Sequence, residues 1–283
     1  MKLVRYGPAG REKPGILDSK GKIRDLSKIV KDIDGAALSP AGLAKIRKAK
    51  VDKLPAVKGN PRLGACVARP GNFIAIGLNY SDHAAETGSP IPKEPIIFNK
   101  APTCVCGPND DTVIPKESTK LDWEVELAIV IGARARYLSK EKAMGVVAGY
   151  CLANDVSERQ FQTERSGQWC KGKGCETFGP LGPWMVTRDE IKDPQNLDMW
   201  TNVNGEKRQR GNTRTMIFGV AHIVWYCSQF FVMEPGDVIV TGTPPGVGLG
   251  MKPEPKFLKA GDVVTLGING LGEQRQKIVS PKA

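Results

Sequence analysis

Residues 123–131 read Trp-Glu-Val-Glu-Leu-Ala-Ile-Val-Ile, an apolar, β-branched run that has the character of a buried strand yet carries two glutamates one residue apart. Side chains alternate along a strand, so Glu124 and Glu126 point the same way. Trp123, Val125 and Leu127 point the other way and have the character of a core face. Two carboxylates held side by side at the edge of an apolar strand repel each other and lose water. A hard divalent cation with oxygen ligands offsets that cost. Asp155, behind Asn154 at the end of the strand-like run 146–153, would add a third oxygen ligand. Three carboxylates suit Mg²⁺ or Mn²⁺, and the lack of His and Cys partners argues against zinc or copper. Surface strands also carry Glu-x-Glu, so spacing alone leaves a structural role open.

The chain has 283 residues, 40% hydrophobic and 25% charged, enough to bury a full core in one large domain or in a small and a large one. No apolar run is long enough to span a membrane, and the opening Met1-Lys2-Leu3-Val4-Arg5 has no secretory apolar core. Seven cysteines, an odd number with no CxxC pair, read as free thiols in a reducing cytoplasm. The formal charge of +11 admits a nucleic acid, an anionic small molecule or a solvated basic surface. Much of it lies in Lys45, Arg47, Lys48, Lys50 and Lys53, after a Ser39-Pro40 helix start that places Leu43, Ile46 and Lys50 near one face. No aromatic residues interleave with these lysines to stack bases, so a solvated helix face is expected and no nucleic-acid partner.

Strand signals predominate along the chain, and the fold class expected is mixed α+β, β-dominated. Residues 1–65 form a small N-terminal β-rich unit, with strands at 15–18 and 21–26 around a turn at 18–21. Residues 66–283 form the second unit, with strands at 73–77, 96–98, 112–114, 237–241 and 262–268. A short helical stretch is expected at 139–144 and one long helix at 216–230.

His83 is one of two histidines, in Asn79-Tyr80-Ser81-Asp82-His83-Ala84-Ala85-Glu86. A short helix there sets His83 and Glu86 at i and i+3, facing each other. A carboxylate beside an imidazole fixes its tautomer and equips it to take a proton from water, although a surface helix with an incidental ion pair has the same spacing. His222 lies in an apolar helical context and reads as packed. The segment 171–180 is a basic loop with glycines on both sides of Lys173, suited to holding a lysine over an anionic substrate or to plain solvation. Residues 241–248, Thr-Gly-Thr-Pro-Pro-Gly-Val-Gly, lack the Gly-Lys-Ser/Thr ending of a phosphate loop.

Together these segments resemble the fumarylacetoacetate hydrolase family from about Arg69 onward. Five blocks occur in the family's order: 77–86, 122–127 (Asp-Trp-Glu-Val-Glu-Leu), 154–159 (Asn-Asp-Val-Ser-Glu-Arg), 172–183 around Lys173, and 236–244. The resemblance implies a β-roll catalytic domain behind a small N-terminal domain, in a homodimer. It implies Glu124, Glu126 and Asp155 as ligands of Mg²⁺ or Mn²⁺, and His83 and Glu86 as a lid dyad that activates water. It further implies Lys173 as the group that steadies the substrate's oxyanion, and Arg159, Gln162 and Thr243 as contacts to a 2-oxo acid. Gly174 and Glu176 depart from the serine and aspartate common in the family.

The expected activity is hydrolysis of the C3–C4 bond of an acylpyruvate to pyruvate and a carboxylic acid. The N-terminal ten residues and Gly167-Gln168-Trp169 look most like the branch acting on 2,4-dioxo-3-deoxy-L-rhamnonate or L-fuconate. Ureidoglycolate lyase, decarboxylase and isomerase members resemble the chain too. A basic nucleic-acid binder with structural carboxylates, or an idle relative serving as a binding module, are the readings from other classes.

Overall fold

The computed structural model describes residues 1–281. The elements that shape the site are, in chain order, β1 (Lys2–Tyr6), β2 (Lys13–Leu17), β3 (Ile23–Asp25), α1 (Pro40–Arg47), β4 (Phe73–Gly77), α2 (Ser81–Thr87), β5 (Ile96–Lys100), β6 (Val125–Ile131), β7 (Val147–Asn154), α3 (Cys170–Lys173), β8 (Met185–Thr187), β9 (Asp198–Val203), β10 (Glu206–Asn212), α4 (Val220–Cys227), β11 (Val238–Val240), β12 (Val263–Ile268) and β13 (Gly272–Val279).

One large sheet runs in the order β3-β2-β1-β8-β7-β6-β11-β4-β5, with the two-residue strand Leu63–Gly64 beside β1. A second sheet runs β10-β9-β12-β13 and ends on Thr112–Val113. β6 packs against β9 and β12, and β7 against β12 and β13, so the second sheet covers one face of β6. Every residue of β6 is buried, which is why its sequence is apolar almost throughout rather than alternating with polar residues. This is the mixed, β-dominated fold anticipated from the strand signals.

The N-terminal strands join the large sheet directly, through antiparallel pairing of Leu3 with Met185. Its hairpin has the expected form, Leu17 opposite Ile23. In α1 the Ser39 hydroxyl caps the Gly42 N–H at 3.1 Å, and Leu43 and Ile46 face the core. Lys50 lies beyond the end of this helix and does not share that face.

The long helix expected at 216–230 is shorter. Asn79 holds the segment before it extended, since Ile217 N–H donates to the Asn79 carbonyl (2.8 Å) and Phe218 N–H to Asn79 Oδ1 (2.8 Å). The helix starts only after Gly219, whose ψ of 168° is extended. His222 sits on that helix, stacked with Phe218 at 5.2 Å and away from the carboxylates. The stretch near 139–144 forms a 3₁₀ segment, Lys140–Val146. All seven cysteines are free thiols, and among the described residues no helix is long and apolar enough to cross a membrane.

Candidate active site

The first residues of β6 and the end of β7 bring three acids together. Val125 pairs with Asn154, and the Asp155 N–H donates to the Glu124 carbonyl at 2.9 Å. Carboxylate oxygens of Glu124, Glu126 and Asp155 lie within 4.8 Å of one another, and all three residues are buried. Their backbone is held where the ladder runs out: Glu124 N–H donates to Asn154 Oδ1 (3.0 Å) and Val125 N–H to Gln209 Oε1 (3.0 Å). Gln209 in turn donates to Thr243 Oγ1 (2.7 Å) and the Pro244 carbonyl (2.8 Å), so the second sheet braces the carboxylates.

Cations reach two of the three acids. Lys173 Nζ donates to Glu124 Oε2 and to Asp155 Oδ2, each at 2.7 Å. Lys100 Nζ meets Asp155 Oδ1 at 2.5 Å and also donates to the Lys173 carbonyl. Arg159 Nε donates to Asp122 Oδ2 at 2.8 Å, its Nη1 donates to Gln162 Oε1 at 3.1 Å, and its Nη2 faces Glu124 Oε1 at 2.6 Å as an ion pair without hydrogen-bond alignment. Glu126 accepts the Gly242 N–H at 2.7 Å. Gly242 has φ +92°, and a Cβ there would come within 2.8 Å of Asn79 Cβ, so glycine is what lets this backbone approach.

The charges decide how each group titrates. Burial works against the ionised form of Glu124, but Lys173 and Arg159 outweigh it and hold this carboxyl well below the usual range. Burial pushes Glu126 well above that range, and Asp155 and Glu124 push it further, with Lys173 and Gly242 offsetting only part. Burial lowers Lys173, yet Asp155 and Glu124 win and keep its ammonium charged. Counting Asp122, four carboxylates face three cations, so with all four ionised one negative charge is left over, at Glu126, which otherwise keeps its proton. Such a deficit between oxygen ligands fits a hard divalent cation, with Glu124, Glu126 and Asp155 able to hold it.

The expected glycine-flanked loop around Lys173 is instead the helical turn α3, with Lys173 2% exposed. Gly172 makes that packing possible, because a Cβ there would lie 2.4 Å from the Glu158 carbonyl oxygen. Gln160–Glu164 is a π-helical turn that buries Gln162 beside Arg159. Gly174 ends α3 and Glu176 is exposed, so the two departures from the family pattern lie outside the carboxylate cluster.

His83 and Glu86 form α2's contribution. His83 Nδ1 and Glu86 Oε2 are 3.0 Å apart, and Glu86 Oε1 accepts the Gly246 N–H at 2.9 Å. His83, the three acids, Lys173, Arg159, Gln162 and Thr243 all line one cavity of about 240 Å³. Glu86 stands behind His83 and does not line it. Roomier hollows exist elsewhere, one of them lined by Arg5, Glu12, Asp32, Arg62 and Asp110, but those side chains pair with each other.

Lys100, Asp122 and Gln209 are site residues to which the sequence motifs assign no role. Asp122 continues the alternation of Glu124 and Glu126 by one more step, which is the sequence signal that marks it. It holds the site's rim, accepting Gly248 N–H (2.7 Å) and Leu249 N–H (3.0 Å) besides Arg159. Lys100 closes an apolar strand and Gln209 lies on a solvent-facing hairpin strand, and nothing local marks either.

A strand-rich fold in which a buried carboxylate centre and His83 line one cavity has the form of an enzyme site. Residues 72–279 match the sequence profile of the family described as Fumarylacetoacetate (FAA) hydrolase C-terminal, and the chain belongs to that family. It is 61% identical, over 98% of each chain, to a Burkholderia orbicola protein whose name assigns it provisionally to the hydrolases. A solved fumarylacetoacetate hydrolase of Exiguobacterium antarcticum superposes with a TM-score of 0.85 at 35% identity, covering 99% of this chain and 100% of that one. Maleylpyruvate hydrolase from Sphingobium superposes with a TM-score of 0.81 at 28% identity, again over 99% of this chain and 100% of the other.

Proposed function

We propose that the protein is an Mg²⁺- or Mn²⁺-dependent hydrolase of acylpyruvates, cleaving the C3–C4 bond of a 2,4-dioxo acid to pyruvate and a carboxylic acid. Within that class we propose 2,4-dioxo-3-deoxy-L-rhamnonate or L-fuconate as the substrate. The observation that carries the proposal is that His83, Lys173 and the three carboxylates open onto one small cavity.

A divalent cation held by Glu124, Glu126 and Asp155 would supply Lewis acidity at the substrate's carboxylate and 2-oxo oxygens. Arg159 and Gln162, buried and mutually bonded at 3.1 Å, shape the end of the cavity where the acid head lies. Glu86 accepts from His83 Nδ1, which leaves Nε2 as the basic nitrogen. His83 takes a proton from water as its oxygen adds to C4. As the tetrahedral centre collapses, the C3–C4 bond breaks and its electron pair departs as the pyruvate enolate. The Lys173 ammonium steadies that developing charge. His83 returns the proton to C3, giving pyruvate and the acyl fragment as a carboxylic acid, which loses its remaining proton to solvent.

The test is pyruvate release from a panel of acylpyruvates, and glyoxylate release from ureidoglycolate, with Mg²⁺, with Mn²⁺ and with chelator. Metal-dependent release from the dioxo acids supports the proposal. Turnover of ureidoglycolate and of no dioxo acid overturns it.

A further inference from the structure

Beyond the carboxylates the cavity changes character. Its apolar side chains are Ile76, Leu78, Phe98, Trp169 and Leu249, with Gly77, Ser89 and Thr163 among the neutral remainder of the lining. Phe98 lies under the Lys173 ammonium at 5.3 Å and meets Trp169 edge-on at 5.2 Å, so this apolar lining leads outward from the charged centre. Leu249 stands at the mouth with 41% of its surface exposed. Its N–H is fixed on Asp122 at 3.0 Å, the carboxylate that also holds Arg159. Leu78 is held with φ +50°, a backbone that a side-chain-bearing residue adopts at a cost and keeps only where its surroundings impose it.

The charges near this lining are committed. Besides His83, the basic side chains lining the cavity are Arg159 and Lys173. Arg159 is engaged by Asp122, Gln162 and Glu124, and Lys173 by Glu124 and Asp155. With Lys100 they are three cations set against the four carboxylates Asp122, Glu124, Glu126 and Asp155. A divalent cation together with one substrate carboxylate brings the centre to neutrality. A second carboxylate at the acyl end would lie against Leu78, Trp169 and Leu249 with no ionic partner, a costly place for a charge.

On the basis of the hydrolase activity proposed above, we infer that the acyl end of the substrate is neutral and apolar-ended, and that Leu249 is the residue that excludes acids with a second carboxylate. Leu249 acts by selecting the substrate, not by touching the reacting atoms.

Two measurements with Mg²⁺ test this. The first is kcat/KM for acetylpyruvate against fumarylpyruvate, in wild type and in Leu249→Lys. Wild type is expected to favour acetylpyruvate by about 100-fold, and the new ammonium to narrow that ratio at least tenfold, to about 10-fold or less. The second is calorimetric binding of 2-oxovalerate and 2-oxoglutarate, which lack the second keto group and are not cleaved. Wild type is expected to bind 2-oxovalerate more tightly. Equal turnover of fumarylpyruvate, or tighter binding of 2-oxoglutarate, overturns the selection. A folded Leu249→Lys with an unchanged ratio removes Leu249 as its cause, and the wild-type binding pair decides the selection if that variant fails to fold. Preferred binding of 2-oxovalerate without pyruvate release from either dioxo acid keeps the selection and overturns the hydrolase activity instead.

Discussion

Lys173 and Asp155 meet at 2.7 Å, Nζ to Oδ2, in a setting where each is 2% exposed and where Glu124 lies at the same distance from the same nitrogen. One ammonium thus bridges two buried carboxylates that would otherwise repel each other.

Lys173→Met leaves Glu124 and Asp155 buried with one cation fewer. The expected cost is about 3–5 kcal/mol of stability, the range for breaking a buried ion pair from one side. Added Mg²⁺ or Mn²⁺ should recover part of that loss while activity stays absent. Thermal unfolding of wild type and variant, with and without metal, checks this. Equal unfolding temperatures in the metal-free proteins would contradict it.

Glu86→Gln removes the carboxylate that orients His83 while keeping its size. A positioning role predicts a fall in kcat of about 100-fold with KM nearly unchanged, and Glu86→Asp should restore part of the rate. A rise in KM with kcat preserved would place Glu86 in substrate binding.

Gly242→Ala adds a methyl where φ is +92° and where Asn79 Cβ would stand 2.8 Å away. A loss of about 1–3 kcal/mol follows from the strained backbone. Cation affinity should fall as well, because the Gly242 N–H fixes Glu126 at 2.7 Å. Denaturant unfolding and metal titration of the same sample read both effects.

Asp18 anchors the N-terminal hairpin. The Lys22 N–H at 2.8 Å, then Arg24 at 2.8 Å and the Lys20 N–H at 2.9 Å, draw its carboxyl below the ordinary 3.8 against the opposing effect of burial. Between the lowered folded value and 3.8 the unfolded chain binds more protons, so this contribution is complete above the unfolded value and disappears as pH falls through the folded one. Asp18→Asn should flatten the acid limb of the stability curve in that window and leave the neutral region parallel to wild type. An unchanged acid limb would contradict the assignment.

The sequence reveals what local period encodes. Alternation places Glu124 and Glu126 on one side of β6, and i,i+3 spacing pairs His83 with Glu86, both as found. The residues that brace them come from far along the chain. Lys100 is 55 positions from Asp155, and Gln209 is 84 from Val125, distances that no periodicity spans. The overlong helix at 216–230 has the same origin. Its apolar pattern is genuine, but Asn79 binds Ile217 and Phe218 from 138 and 139 positions away and keeps that stretch extended. The glycine-rich surroundings of Lys173 suggest a loose loop, whereas Gly172 is there for close packing against Glu158 and Gln162.

The most direct test is calorimetric titration of Mn²⁺ into chelator-stripped protein, in wild type and in Glu126→Gln, with both shown to be folded by circular dichroism. One ion per chain in wild type and at least about 100-fold weaker binding in the variant is the expected result, since Glu126 is the one acid of the three that Lys100, Lys173 and Arg159 leave for the ion. Equal affinity in the two proteins, or no binding to wild type, would contradict a divalent cation among Glu124, Glu126 and Asp155.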